Sequence, residues 1–108
     1  MSWDVTAKIT RSITISEVTT VYERDVTWNN AEIFYEALGR NFRELNGYEG
    51  LYAAPVILRG ILNIEENLDE YKKLNPPNLW GGVEDALKVL NDLYEICIKY
   101  PECIVYIA

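Results

Sequence analysis

Two short stretches hold the side chains best suited to recognise a ligand. The first is LNPPNLWGG, residues 74–82. It sets Asn75 and Asn78, each with amide donors and an acceptor, beside the stacking plane of Trp80 and two glycines, Gly81 and Gly82, that let a ligand approach the main chain. The second is DVTWNNAEIFYEA, residues 25–37, where Trp28, Asn29 and Asn30 fall at the change from a strand pattern to a helix pattern. Each stretch also has a plain structural use. Pro76 and Pro77 make a rigid connection between helices, with Trp80 as a plug, and Asn29 can cap a helix with Glu32 as its capping-box partner. For the proline loop, hinge and site both stay open.

An anionic ligand would call on arginine, whose planar fork grips phosphate and carboxylate in a bidentate way. All five arginines lie in the first 60 residues, and Arg40, Arg43 and Arg59 are the candidates. The absence of histidine removes imidazole general-base chemistry and the commonest transition-metal ligand. With no phosphate loop, nucleophile elbow or paired-cysteine metal signature, the expectation is a binding protein, not an enzyme, with no catalytic residue, metal or cofactor. The acidic pairs Glu65 and Glu66, Asp69 and Glu70, Glu84 and Asp85 read as a solvated face, since acid–base work would want a buried, perturbed carboxylate.

The net charge of −7 argues against direct nucleic-acid binding. The charge is uneven: eight acids against six bases over residues 1–60, and nine against four over residues 61–108. No apolar run approaches membrane-spanning length and residues 1–9 lack an apolar signal region, so the expected location is the cytoplasm, away from membranes. Cys97 and Cys103 read as buried, reduced thiols.

The elements that must position these groups can be read from periodicity. Residues 3–28 are rich in Val, Ile, Thr, Trp and Tyr and hold no Gly or Pro, so they read as strand. Trp3, Val5, Ala7 and Ile9 alternate with polar residues, and Val18, Thr20, Tyr22, Arg24, Val26 and Trp28 form one face. The turns are poorly marked, with residues 10–12 and 15–17 the best candidates. Phe34, Ala37 and Leu38 give a short helix ended by Gly39, and Pro55 suits the first turn of a second, which could run on, straight or kinked, to the prolines. A last helix from near Gly82 buries Val83, Ala86, Leu87, Leu90, Leu93 and Cys97, Pro101 ends it, and CIVYI closes the chain as a central or well-covered strand. The order predicts one α+β domain over residues 1–108, a mostly antiparallel sheet with about three helices on one face, in which residues 1–28 are the strand region.

From about Asp25 onward, VTWNNAEIFYEALG, RELNGYEGLYAAPVILRGI and the run from Tyr71 to Ile107 resemble a family of small uncharacterised bacteriophage and prophage proteins. The matching positions are Asn29, Leu74, Asn75, Pro76, Pro77, Asn78, Trp80, Gly81, Cys97 and Pro101; Leu79 stands where that family has glycine, and the N-terminal strand region is an addition. The resemblance implies a phage accessory protein, with counter-defence in the host cytoplasm as the fitting role. Joined to the residues, it gives two expectations: non-catalytic sequestration of a small nucleotide-derived molecule, or an acidic protein that docks on a basic surface of a host protein. The apolar residues of 3–28, more than one sheet face can hide, add the expectation of a homo-oligomer with this region in its interface.

Overall fold

A computed structural model describes residues 1–12, 16–78 and 80–108; Ile13, Ile15 and Leu79 therefore lie outside the described residues. The fold is α+β. Strands β1 (Ser2–Ser12), β2 (Ser16–Thr27) and β3 (Ile104–Ile107) form an antiparallel sheet in the order β2-β1-β3. Helices α1 (Ala31–Leu38), α2 (Gly50–Glu66), α3 (Leu68–Lys72) and α4 (Val83–Lys99) follow β2, with 3-10 turns at Trp28–Asn30 and Phe42–Leu45. Among the described residues, no helix is long and apolar enough to cross a membrane.

The core lies between one face of the sheet and the helices. Val5, Ala7, Ile9, Val26, Val105 and Ile107 are buried from the sheet side, and Ile33, Phe34, Ile57, Ile61, Val89, Leu90 and Leu93 from the helix side. Phe34 and Phe42 stack at 4.2 Å between ring centroids, and Trp3 tilts against Phe42 at 5.1 Å. The opposite face of the sheet, bearing Asp4, Glu23, Asp25 and Tyr106, is exposed.

Several expectations change at this level. The strand face from Val18 to Trp28 is not continuous: the β1–β2 register shifts between Ala7 and Lys8, where Tyr22 and Thr20 are the successive partners and Val21 is the extra residue. A bulge of this kind reverses which face the residues on either side of it present. Tyr22, Arg24 and Val26 therefore face the helices while Val18 is exposed. The Ser12 and Ser16–Glu17 positions assigned to turns belong to the strands themselves. Helix α2 starts at Gly50, so Pro55 lies inside it, on the exposed side. Contacts distant in sequence fix that early start: Gly50 N–H donates to Cys103 O at 2.7 Å and Leu51 N–H to Pro101 O at 2.9 Å. The helical course does run on with an interruption: α2 breaks at Asn67, whose main chain caps α3, and α3 ends at Lys72, short of the prolines.

Strand β3 is at an edge of the sheet, not at its centre, yet it is covered. Gly47 N–H donates to Val105 O, Val105 N–H to Tyr48 O, and Asn46 Oδ1 accepts from Ile107 N–H, so the segment 46–48 takes the place of a fourth strand. Between α1 and α2 lies the 3-10 turn Phe42–Leu45, closed by a capping box between Asn41 and Glu44. Both cysteines are free and buried, as expected, and desolvation pushes the Cys97 thiol up to about 12.

Candidate functional site

The end of β2, the turn after it and the proline loop meet at one corner of the molecule. The corner is built on Asn30, which is fully buried. Its Oδ1 accepts from Gly82 N–H at 2.7 Å and its Nδ2 donates to Asp85 Oδ2 at 2.7 Å. Asp85 Oδ1 in turn pairs with Arg24 Nη2 at 2.6 Å. One carboxamide thereby joins the turn after β2 to the loop and to the first turn of α4, while Arg24 ties in the strand. The sequence pattern groups Asp85 with the solvated acids; it is instead part-buried between an amide and a guanidinium, where an unpaired carboxylate would be costly.

The loop is closed from its other side by Asn75, whose Oδ1 accepts from Val83 N–H at 2.9 Å, one of the donors that the start of α4 leaves without a helical partner. Gly81 and Gly82 have φ of 83° and 120°, in the left-handed range that favours glycine. Space is equally restrictive, because a Cβ on Gly81 would collide with Asn30 Oδ1 and one on Gly82 would lie 2.9 Å from Asn75 Oδ1. Thus Asn30 holds the loop from beneath and Asn75 from its exposed side, with Gly81 and Gly82 fitted against their side-chain oxygens.

What this scaffold presents to solvent is a cleft of about 580 Å³ lined by Met1, Ser2, Asp25, Thr27, Trp28, Asn29, Asn78 and Trp80. Trp28 is 46% exposed and Trp80 73%, large values for indoles in a domain this size. Asn78 Oδ1 accepts from the main-chain N–H of Trp80 at 3.1 Å, an Asx turn, and lies 3.4 Å from Asn29 Nδ2. Trp28 rests on Trp3 at 6.3 Å, which joins it to the core aromatics. Asn29 does not cap a helix as its spacing suggests: Thr27 Oγ1 accepts from Asn29 N–H, and α1 begins only after Asn30, without a side-chain cap.

Of the ten residues singled out from sequence, Trp28, Asn29, Asn78 and Trp80 line the cleft, and Asn30, Asn75 and Gly81 support it. The three arginines are not among its lining residues. Arg40 Nη1 donates to Tyr48 Oη at 2.9 Å, Arg43 is exposed on the Phe42–Leu45 turn and Arg59 is exposed on α2. Side-chain charge at the cleft comes from Asp25, which sequence reasoning passes over. Asp25 lies directly across from Asp4 in the β1–β2 register, as Thr27 does from Ser2. A hydrogen bond to Asp25, then its negative charge, raises the Asp4 carboxyl above its ordinary value. The alternation of residues 25–28 is a usable signal for Asp25; its partner in β1 is not visible without the register.

The arrangement suits stacking and hydrogen bonding of a planar group. No protein-family model, curated protein or solved structure matches this chain.

Proposed function

We propose that the protein binds and sequesters a small nucleotide-derived molecule without transforming it, holding its planar ring at Trp28 and Trp80. The observation that carries this reading is the convergence of two exposed indoles and two amide side chains on one cleft whose shape is imposed by the buried Asn30. Stacking on each indole is worth about 1–3 kcal/mol, and Asn29 and Asn78 supply edge contacts. The likeness of residues 25–107 to small phage proteins favours a host-made signal as the ligand and counter-defence as the role. A thermal shift screen with a nucleotide panel tests this. At a hundredfold excess over its dissociation constant a true ligand stabilises by about 2.7 kcal/mol, and Trp80→Ala should remove the shift. A panel that leaves the melting temperature unmoved overturns the reading for its members.

A second reading, docking of an acidic surface on a basic host protein, draws on the concavity at the α2–α3 junction lined by Glu65, Glu66, Asp69 and Glu70. Reversing these four to lysine would abolish host-protein binding under this reading and leave ligand binding untouched under the first. Either reading is compatible with a homo-oligomer, which we propose forms through β2: its outer edge has no strand partner among the described residues, whereas that of β3 is covered.

A further inference from the structure

We propose that the cleft selects a planar nitrogen heterocycle bearing positive charge, and that Asp25 is the residue that reads the charge. The inference rests on the stacking role of Trp28 and Trp80 and deepens it by naming the class of ring.

The side-chain charges that face the cleft are negative, and the Met1 α-ammonium at its rim is outnumbered by them. Asp25 is the only residue with a charged side chain among those lining the cleft. Asp4 lies across from it, and Glu23 stands two residues away on the same exposed face of the sheet. The nearby bases are committed elsewhere. Arg24 points to the helix side and is held by Asp85 at 2.6 Å, with Asp92 4.0 Å from its other nitrogen. Lys8, further along β1, sits over the Tyr106 ring at 5.5 Å. A phosphate entering here would meet these carboxylates with only the Met1 α-ammonium to offset them among the described residues, at a cost that grows as water is excluded.

Indole faces are electron-rich and draw a cation toward the ring centroid, Trp most strongly of the aromatic side chains. A cationic ring on these indoles gains from their quadrupoles and from Asp25 together, and it relieves the repulsion between Asp25 and Asp4. A neutral ring of the same shape gains only the stacking, and an anionic ring is disfavoured. For a nucleotide-derived ligand, the charged heterocycle would occupy the cleft and any phosphate would remain outside it.

The test uses two probes of nearly the same shape, 1-methylnicotinamide, a cation, and nicotinamide, which is neutral. Tryptophan fluorescence of the full chain is titrated with each. The expected result is at least about tenfold tighter binding of the cation, equivalent to about 1.4 kcal/mol. Asp25→Asn should bring the ratio close to one, and Trp80→Ala should weaken both. Asp25 and Trp80 are exposed, so neither change threatens the fold. Equal affinities in the unaltered protein, or a preference that survives Asp25→Asn, overturn the charge selection and leave the stacking role standing. Failure of both probes to bind at millimolar concentration overturns the stacking role as well.

Discussion

The β1–β2 hairpin has a root and a tip of similar composition and opposite circumstances. At the root, Val5–Lys8 of β1 is paired on both sides, by β2 and by β3, and its inner face lies under the helices. Beyond the bulge the ribbon has only two strands from Ile9 on; Ile9 is still buried, but Val18 is 62% exposed. Both parts are β-branched and free of Gly and Pro, so strand propensity is satisfied in each. The difference teaches that propensity made the ribbon, while the helices and β3 decided which portion of it became core and which end adjoins the candidate site.

The largest effect should come from cutting the root's link to the helices. Asn30→Leu leaves Gly82 N–H and one Asp85 oxygen without partners in a buried setting, an expected loss of about 3 kcal/mol. Thermal denaturation should show a fall in melting temperature on the order of 10 °C or more. Thr19→Ala near the tip should change stability by under about 0.5 kcal/mol. Equal costs for the two would break the contrast.

Next in size is Gly50→Ala, where the added methyl would lie 2.8 Å from Tyr100 O and 3.0 Å from Cys103 Sγ. Main-chain atoms cannot rotate away, so about 2 kcal/mol should be lost in chemical denaturation. Amide exchange should sharpen the comparison further. The Val5–Lys8 amides should open only with the whole domain, whereas those of Val18–Thr20 should exchange through local opening, on far shorter times. Uniform protection along β2 would contradict this.

The smallest effect belongs to the carboxyl pair. A raised carboxyl binds its proton more readily folded than unfolded, so this term is most favourable below the ordinary value of 3.8 and is lost as pH rises through the higher folded value. Asp25→Asn should remove it. Since other carboxylates titrate in the same range, the quantity to measure is wild type minus variant: the relative stability of Asp25→Asn should increase as pH climbs from below 3.8 toward neutrality, and a flat difference would refute the pairing.

The sequence makes some elements plain and conceals others for identifiable reasons. Helix α4 is legible because its apolar residues recur at helical spacing and Gly82 and Pro101 punctuate its ends. The start of α2 is hidden because its first amides bond to the segment leading into β3, some fifty residues away, and Pro55 looks like a better beginning than Gly50. The bulge at Val21 leaves no composition signal, so simple alternation puts the exposed Val18 on the wrong face. At the site, Trp28 and Trp80 stand out as aromatics among amides. The arginines have suitable chemistry, but chemistry carries no knowledge of distance, and the register that sets Asp4 across from Asp25 exists only in the folded sheet.

The projecting ribbon also bears on how the protein's mass can be measured. The molecule extends 52 × 27 × 18 Å with a Cα radius of gyration of 14.3 Å, against about 13 Å for a compact chain of this length. So elongated a body has more friction than a sphere of equal mass, and it would elute early from a sizing column calibrated with round standards. A monomer could pass there for a dimer. The question of self-association at β2 is therefore one for sedimentation equilibrium or light scattering, which weigh the particle without reference to its shape.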